Sequence, residues 1–182
     1  MRKLTSLLFA TALLCVASFT YAETDPMVGG AAMYPTKNIV ENAVNSKDHT
    51  TLVAAVKAAG LVETLEGPGP FTVFAPTNEA FDKLPAGTVD NLLKPENIDT
   101  LKKVLTYHVV AGRITTGDLK KMIHEGGGKA TLTTVEGGTL TATMQGGKYM
   151  LTDDKGGMAA ITIPNVYQSN GVIQVVNAVL LP

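Results

Sequence analysis

The sequence predicts an α+β domain in which an N-terminal helical layer packs on a C-terminal β-sandwich or wedge of sheets. Three observations predict it. Segments with apolar residues at helical spacing crowd between residues 38 and 106. After Gly126, glycine pairs at 137/138, 146/147 and 156/157 divide Thr- and Val-rich stretches, as hairpin turns divide a β-meander. Finally, Val172, Ile173, Val175, Val176, Val179, Leu180 and Leu181 form a run apolar on both faces, which reads as a deeply buried strand.

Taken in order, residues 1–22 carry Arg2 and Lys3, an apolar run from Leu7 to Phe19 and a small residue at Ala22, the form of a cleaved signal peptide. The run is shorter than the about 20 residues that span a bilayer, so no membrane anchor is expected after cleavage. Leu14 before Cys15 is bulky where a lipoprotein signal needs a small residue. Residues 23–36 hold Pro26, Gly29, Gly30 and Pro35 without periodicity and read as a flexible lead-in. The folded domain is expected over 37–182. Asn38 and Glu41 have capping-box spacing and open a helix with Ile39, Val40, Ala43 and Val44. A second helix over 50–59 ends at Gly60, which suits the position after a helix C-cap. A short turn over 61–65 stops at the breaker Gly67-Pro68-Gly69-Pro70. Phe71 to Phe74 is a short strand ended by Pro76, and Thr77 then caps a helix that turns Phe81 and Leu84 inward. Helices follow over 88–93 and 96–106, and a brief strand over 107–110 is closed by Gly112. Lys102-Lys103 and Lys120-Lys121 read as solvated helix faces.

Three motifs carry a resemblance: GPFTVFAPTNEAF over residues 69–81, the pair Tyr107-His108, and SNGVIQVVNAVLLP over 169–182. In this order and spacing the chain resembles the fasciclin-like domain family (beta-Ig-H3/fasciclin) over residues 37–182. The resemblance implies the same α+β architecture. It also implies a secreted or surface-attached adhesion or interaction domain with no common catalytic activity.

Composition narrows the function. Removing residues 1–22 takes away the only cysteine together with Arg2 and Lys3, and leaves 13 basic against 16 acidic residues, a formal charge of −3. A chain without thiols needs no disulfide and has no redox chemistry of its own. Its mildly acidic balance, without a basic stripe, argues against a nucleic-acid partner. His49, His108 and His124 are far apart and fit no metal-ligand spacing, so neither metal nor cofactor is expected. No nucleophile motif or phosphate loop occurs, and the expectation is a monomeric, secreted or periplasmic protein that is not an enzyme.

Tyr107 and His108 are the candidate binding residues. In a strand they face opposite sides, so one points inward, and a buried His108 would take Thr77 or Asn78 as its partner. The resemblance implies an adhesion role for this pair. Thr77, Asn78, Gln174 and Asn177 are read as structural polar residues, because the last three stand where many family members carry a titratable group. Each keeps hydrogen-bonding capacity while losing the proton. Asp153-Asp154 reads as turn or edge charge. The leading function is a module recognising a surface protein, an extracellular polysaccharide or a cell surface. The second is a carrier of a small apolar ligand, suggested by the methionines, although Met122, Met144, Met150 and Met158 are more plainly core filling.

Overall fold

The computed structural model describes residues 25–182. The expected signal peptide lies outside them. Pro26 leads into a hairpin of β1 (Met27–Val28) and β2 (Ala31–Ala32), turned by Gly29 and Gly30, both with positive φ. Val28 and Met33 are buried in the core, so the lead-in is a docked hairpin and not flexible coil. Two-residue strands are too short to show a period, and their order comes from the packing of those two side chains.

Helix α1 (Ile39–Ala43) begins with the capping box read from the sequence: Glu41 N donates to Asn38 Oδ1 at 2.9 Å, and Asn38 N donates to Glu41 Oε2 at 2.8 Å. After a single 3-10 turn at Lys47–His49 come α2 (Thr50–Ala58) and α3 (Val62–Glu66). Strand β3 (Phe71–Pro76) leads into α4 (Asn78–Asp82), which is followed by α5 (Thr88–Leu92) and α6 (Ile98–Tyr107). Strand β4 is short (Val109–Ala111). Helix α7 (Thr116–Glu125) has no counterpart among the elements bounded from sequence, although the sequence reading puts Lys120-Lys121 on a helix face. It carries a second capping box, Thr115 with Asp118. Strands β5 (Lys129–Thr133), β6 (Thr139–Gln145), β7 (Lys148–Thr152) and β8 (Met158–Gln168) form the meander, and β9 (Gly171–Val176) closes the order.

Seven strands hydrogen-bond in the order β4-β3-β9-β8-β7-β6-β5. β9 runs parallel to β3 and antiparallel to β8, which places it inside the sheet, and all six of its residues are buried. The eleven-residue β8 shifts register around Asn165, at φ +56°, and bends the sheet between its two halves. A bridge from Val110 to Thr134 joins the end strands, so the sheet curls toward a barrel. The core is divided by β3 and β9. Val73, Ala75, Ile173 and Val175 face α1, α2 and α6, whereas Phe74 and Val176 face α7 and the meander.

Two boundaries differ from the sequence reading. Tyr107 is the last residue of α6 and His108 its C-cap, at φ −82° and ψ −1°, so the strand begins only at Val109. The final strand stops at Val176, and residues 177–182 lie outside it.

Candidate functional site

Because α6 continues through Tyr107, the two candidate residues are not on opposite faces of a strand. Both turn inward, Tyr107 with no exposed surface and His108 with 2 %. His108 Nδ1 lies 2.8 Å from the Val104 carbonyl, one of the acceptors that a helix end leaves free, and Nε2 accepts from Leu180 N at 3.0 Å. Since Leu180 donates, the ring proton sits on Nδ1 and the imidazole is neutral. Burial lowers the His108 pKa to about 4, against smaller upward pulls from the Val104 carbonyl and Asp153. The expected partners Thr77 and Asn78 are not the ones it uses. A side chain at a helix end meets the chain crossing that end, here the segment after β9.

The Tyr107 hydroxyl donates to the Thr139 carbonyl at 2.6 Å and accepts from Asp154 N at 3.1 Å. Its ring lies against Gly138, where an added Cβ would sit 2.7 Å from the ring edge. Asp153 accepts from Lys155 N, Gly157 N and Leu181 N. Tyr107, His108 and Asp153 together pin the α6 end, the turn after β7 and the segment after β9 to one another. No atom of the Tyr-His pair is left for a partner.

The four structural polar residues are likewise spent internally. Thr77 Oγ1 accepts from Ala80 N at 3.3 Å as N-cap of α4. Asn78 Oδ1 accepts from Thr51 N and Thr50 Oγ1, and its amide donates to the Lys47 carbonyl, so it caps α2 from outside that helix. Gln174 bridges Asn165 N and the Ile114 carbonyl beneath the β8 bulge. Asn177 Oδ1 accepts from Ala160 N. Among the described residues no group of three His, Asp or Glu side chains could hold a metal ion, and no helix is long and apolar enough to cross a membrane.

What remains free is the outer face of the meander. Ala130, Leu132, Leu140, Ala142 and Leu151 point inward, so their neighbours point out. The register aligns Thr131, Thr141 and Thr152 across β5, β6 and β7, flanked by the pair Thr133 and Thr139 and by Lys129, Thr143 and Met150. Exposed Met158 continues the Thr152 row on β8. Among the described residues Lys129 and Lys148 lie at the edge of this face, and at its other margin the exposed Asp154 carboxylate accepts from Thr139 Oγ1 at 2.9 Å. Met144 and Met158 are exposed and do not fill the core. The sequence signal was present in the period-two threonines at 131/133 and 139/141/143.

The family model described as Fasciclin domain matches residues 47–182. The chain belongs to the fasciclin family. A Synechocystis relative, Protein sll1483, is 44 % identical to this fasciclin protein over 92 % of the chain and 86 % of its own length. The Immunogenic protein MPB70 of Mycobacterium bovis is 37 % identical over 77 % of this chain and 66 % of its own. The Mycobacterium bovis Cell surface glycolipoprotein MPB83 is 31 % identical over 87 % and 61 %. A solved FAS1 domain pair from the insect cell adhesion molecule fasciclin I superposes with a TM-score of 0.71 at 19 % identity, over 80 % of this chain and 51 % of that one. That likeness shows the same fold.

Proposed function

We propose that this fasciclin protein is a monomeric, secreted or periplasmic interaction module, without catalytic activity, that adheres through the outer face of its meander. The observation that carries the reading is the threonine array on β5, β6 and β7, charged only at its margins by Lys129, Lys148 and Asp154, while Tyr107 and His108 are consumed inside. Each threonine offers a methyl and a hydroxyl, and a flat row of them suits the alternating C–H and O–H surface of a sugar chain. Among a surface protein, a cell surface and an extracellular polysaccharide, the uncharged centre of the array around Thr131, Thr141 and Thr152 favours a neutral polysaccharide. The cell-surface description of the mycobacterial relative supports an extracytoplasmic setting.

The test is retention of neutral matrix polysaccharide on immobilised residues 23–182, with the double variant Thr131→Lys/Thr141→Lys alongside. Retention lost in a variant with unchanged melting temperature is the expected result. Equal retention by both proteins, or none by the wild type, would contradict the reading.

A further inference from the structure

We infer that the apolar cavity between the first helices and strands β3 and β9 is a binding site for one short aliphatic molecule carrying a single uncharged oxygen acceptor, which the ring N–H of His49 would hold. The cavity measures about 70 Å³, several times the roughly 10–15 Å³ that admits one water. Ile39, Val40, Leu52, Val56, Val73 and Ile173 form much of its wall. Lys57, Thr64 and Val135 also line it and are exposed, which gives it an opening to solvent. Its size and hydrocarbon wall suit a slim chain.

The polar end of the ligand follows from His49, which lines the same cavity and is only 3 % exposed. Ser46 Oγ lies 2.9 Å from His49 Nδ1 and has no other hydrogen-bond partner. A hydroxyl can donate or accept here, but the Ala75 carbonyl beside the ring is an acceptor that calls for a ring N–H, so we place the N–H on Nε2, with Nδ1 accepting from Ser46. Nε2 is buried without a hydrogen-bond partner of regular geometry, although the Ala75 carbonyl is close enough to raise the ring pKa against the larger lowering by burial. A buried donor left unpaired costs free energy that a ligand oxygen would recover. A carboxylate would have to shed its water against hydrocarbon, because the nearest ammonium among the lining residues belongs to exposed Lys57. The fitting class is thus a neutral ketone, alcohol or ester of short chain length. Asn42 and Gln168, also buried, hydrogen-bond each other, and Asn170 is satisfied by Leu65 and Gly67 carbonyls, so His49 is the unsatisfied donor of this region.

The inference stands apart from the surface reading, and the two fail separately. Hexan-2-one, n-hexane and hexanoate are titrated against the protein at pH 7.5 while the ring nitrogens of His49 are followed by NMR. The expected result is saturable binding of the ketone, a shift of the His49 Nε2 resonance, and about tenfold weaker binding of the alkane, the size of one hydrogen bond. In His49→Leu the preference for ketone over alkane disappears, and in Val56→Phe, which fills the cavity, both bind at least about tenfold more weakly. No ketone binding, no His49 shift on binding, hexanoate binding equal to ketone binding, or unchanged ketone binding in Val56→Phe would each overturn the assignment. If His49→Leu does not fold, the wild-type resonances and Val56→Phe still decide it.

Discussion

His108 is neutral because both of its nitrogens are committed, and this makes it the residue whose removal is most legible in solution. The backbone N–H of Leu180 would be left buried and unpaired in His108→Ala, and the expected loss is roughly 1–3 kcal/mol by chemical denaturation. Protonation acts the same way. The folded pKa, about 4, lies below the ordinary 6.5, so the unfolded chain binds the proton more tightly. The stabilising contribution is complete above pH 6.5 and is lost as pH falls toward 4. At about 1.4 kcal/mol per tenfold difference in proton affinity, it amounts to roughly 3 kcal/mol. His49, also lowered by burial, adds loss in the same direction. Urea midpoints measured between pH 7 and 4 should fall, and less steeply in His108→Ala; parallel curves would contradict a His108 held neutral by burial. Tyr107→Phe removes two hydrogen bonds while keeping the ring on Gly138, so it should fold with a stability loss of about 1–3 kcal/mol.

The central pairing of β3 with β9 depends on a close backbone approach at Gly171, where an added Cβ would sit 2.1 Å from the Phe71 carbonyl oxygen. Gly171→Ala must therefore push the strands apart, and we expect loss of the cooperative transition or a drop of more than about 3 kcal/mol. A melting temperature equal to wild type would show that the pairing is not as described. At this scale the sequence was most readable where local signals agree with packing: the Asn38 capping box, the Phe71 strand, the glycine-paired hairpins. It misplaced Tyr107 because Tyr107, Val109 and Val110 have strand propensity, and only tertiary packing keeps α6 helical through Tyr107. Helix α7 was missed although Thr115 and Asp118 have capping-box spacing, because Gly117 and the lysines dilute its apolar stripe of Leu119, Met122 and Ile123. His49 gave no signal, since its burial and its unpaired nitrogen arise only when the helices close over β3.

Across the whole molecule, residues 170–182 tie together parts that the chain visits far earlier. Asn170 holds Ile39 N and the Leu65 and Gly67 carbonyls at the end of α3, β9 lies between β3 and β8, and Leu180 and Leu181 are held by His108 and Asp153. Deleting residues 170–182 should leave a chain without a cooperative unfolding transition. The family motifs at residues 69–81, 107–108 and 169–182 thus mark one interlocked core, which is why the fold was legible while the partner surface, built from ordinary threonines, was not. The proposed recognition surface lies outside this core, on the threonine face. The deciding measurement compares retention of neutral polysaccharide on immobilised wild type, Tyr107→Phe and Thr131→Lys/Thr141→Lys at a temperature where all three are folded. Retention by wild type and Tyr107→Phe with loss in the threonine variant is predicted, and retention by the threonine variant with loss in Tyr107→Phe would contradict it.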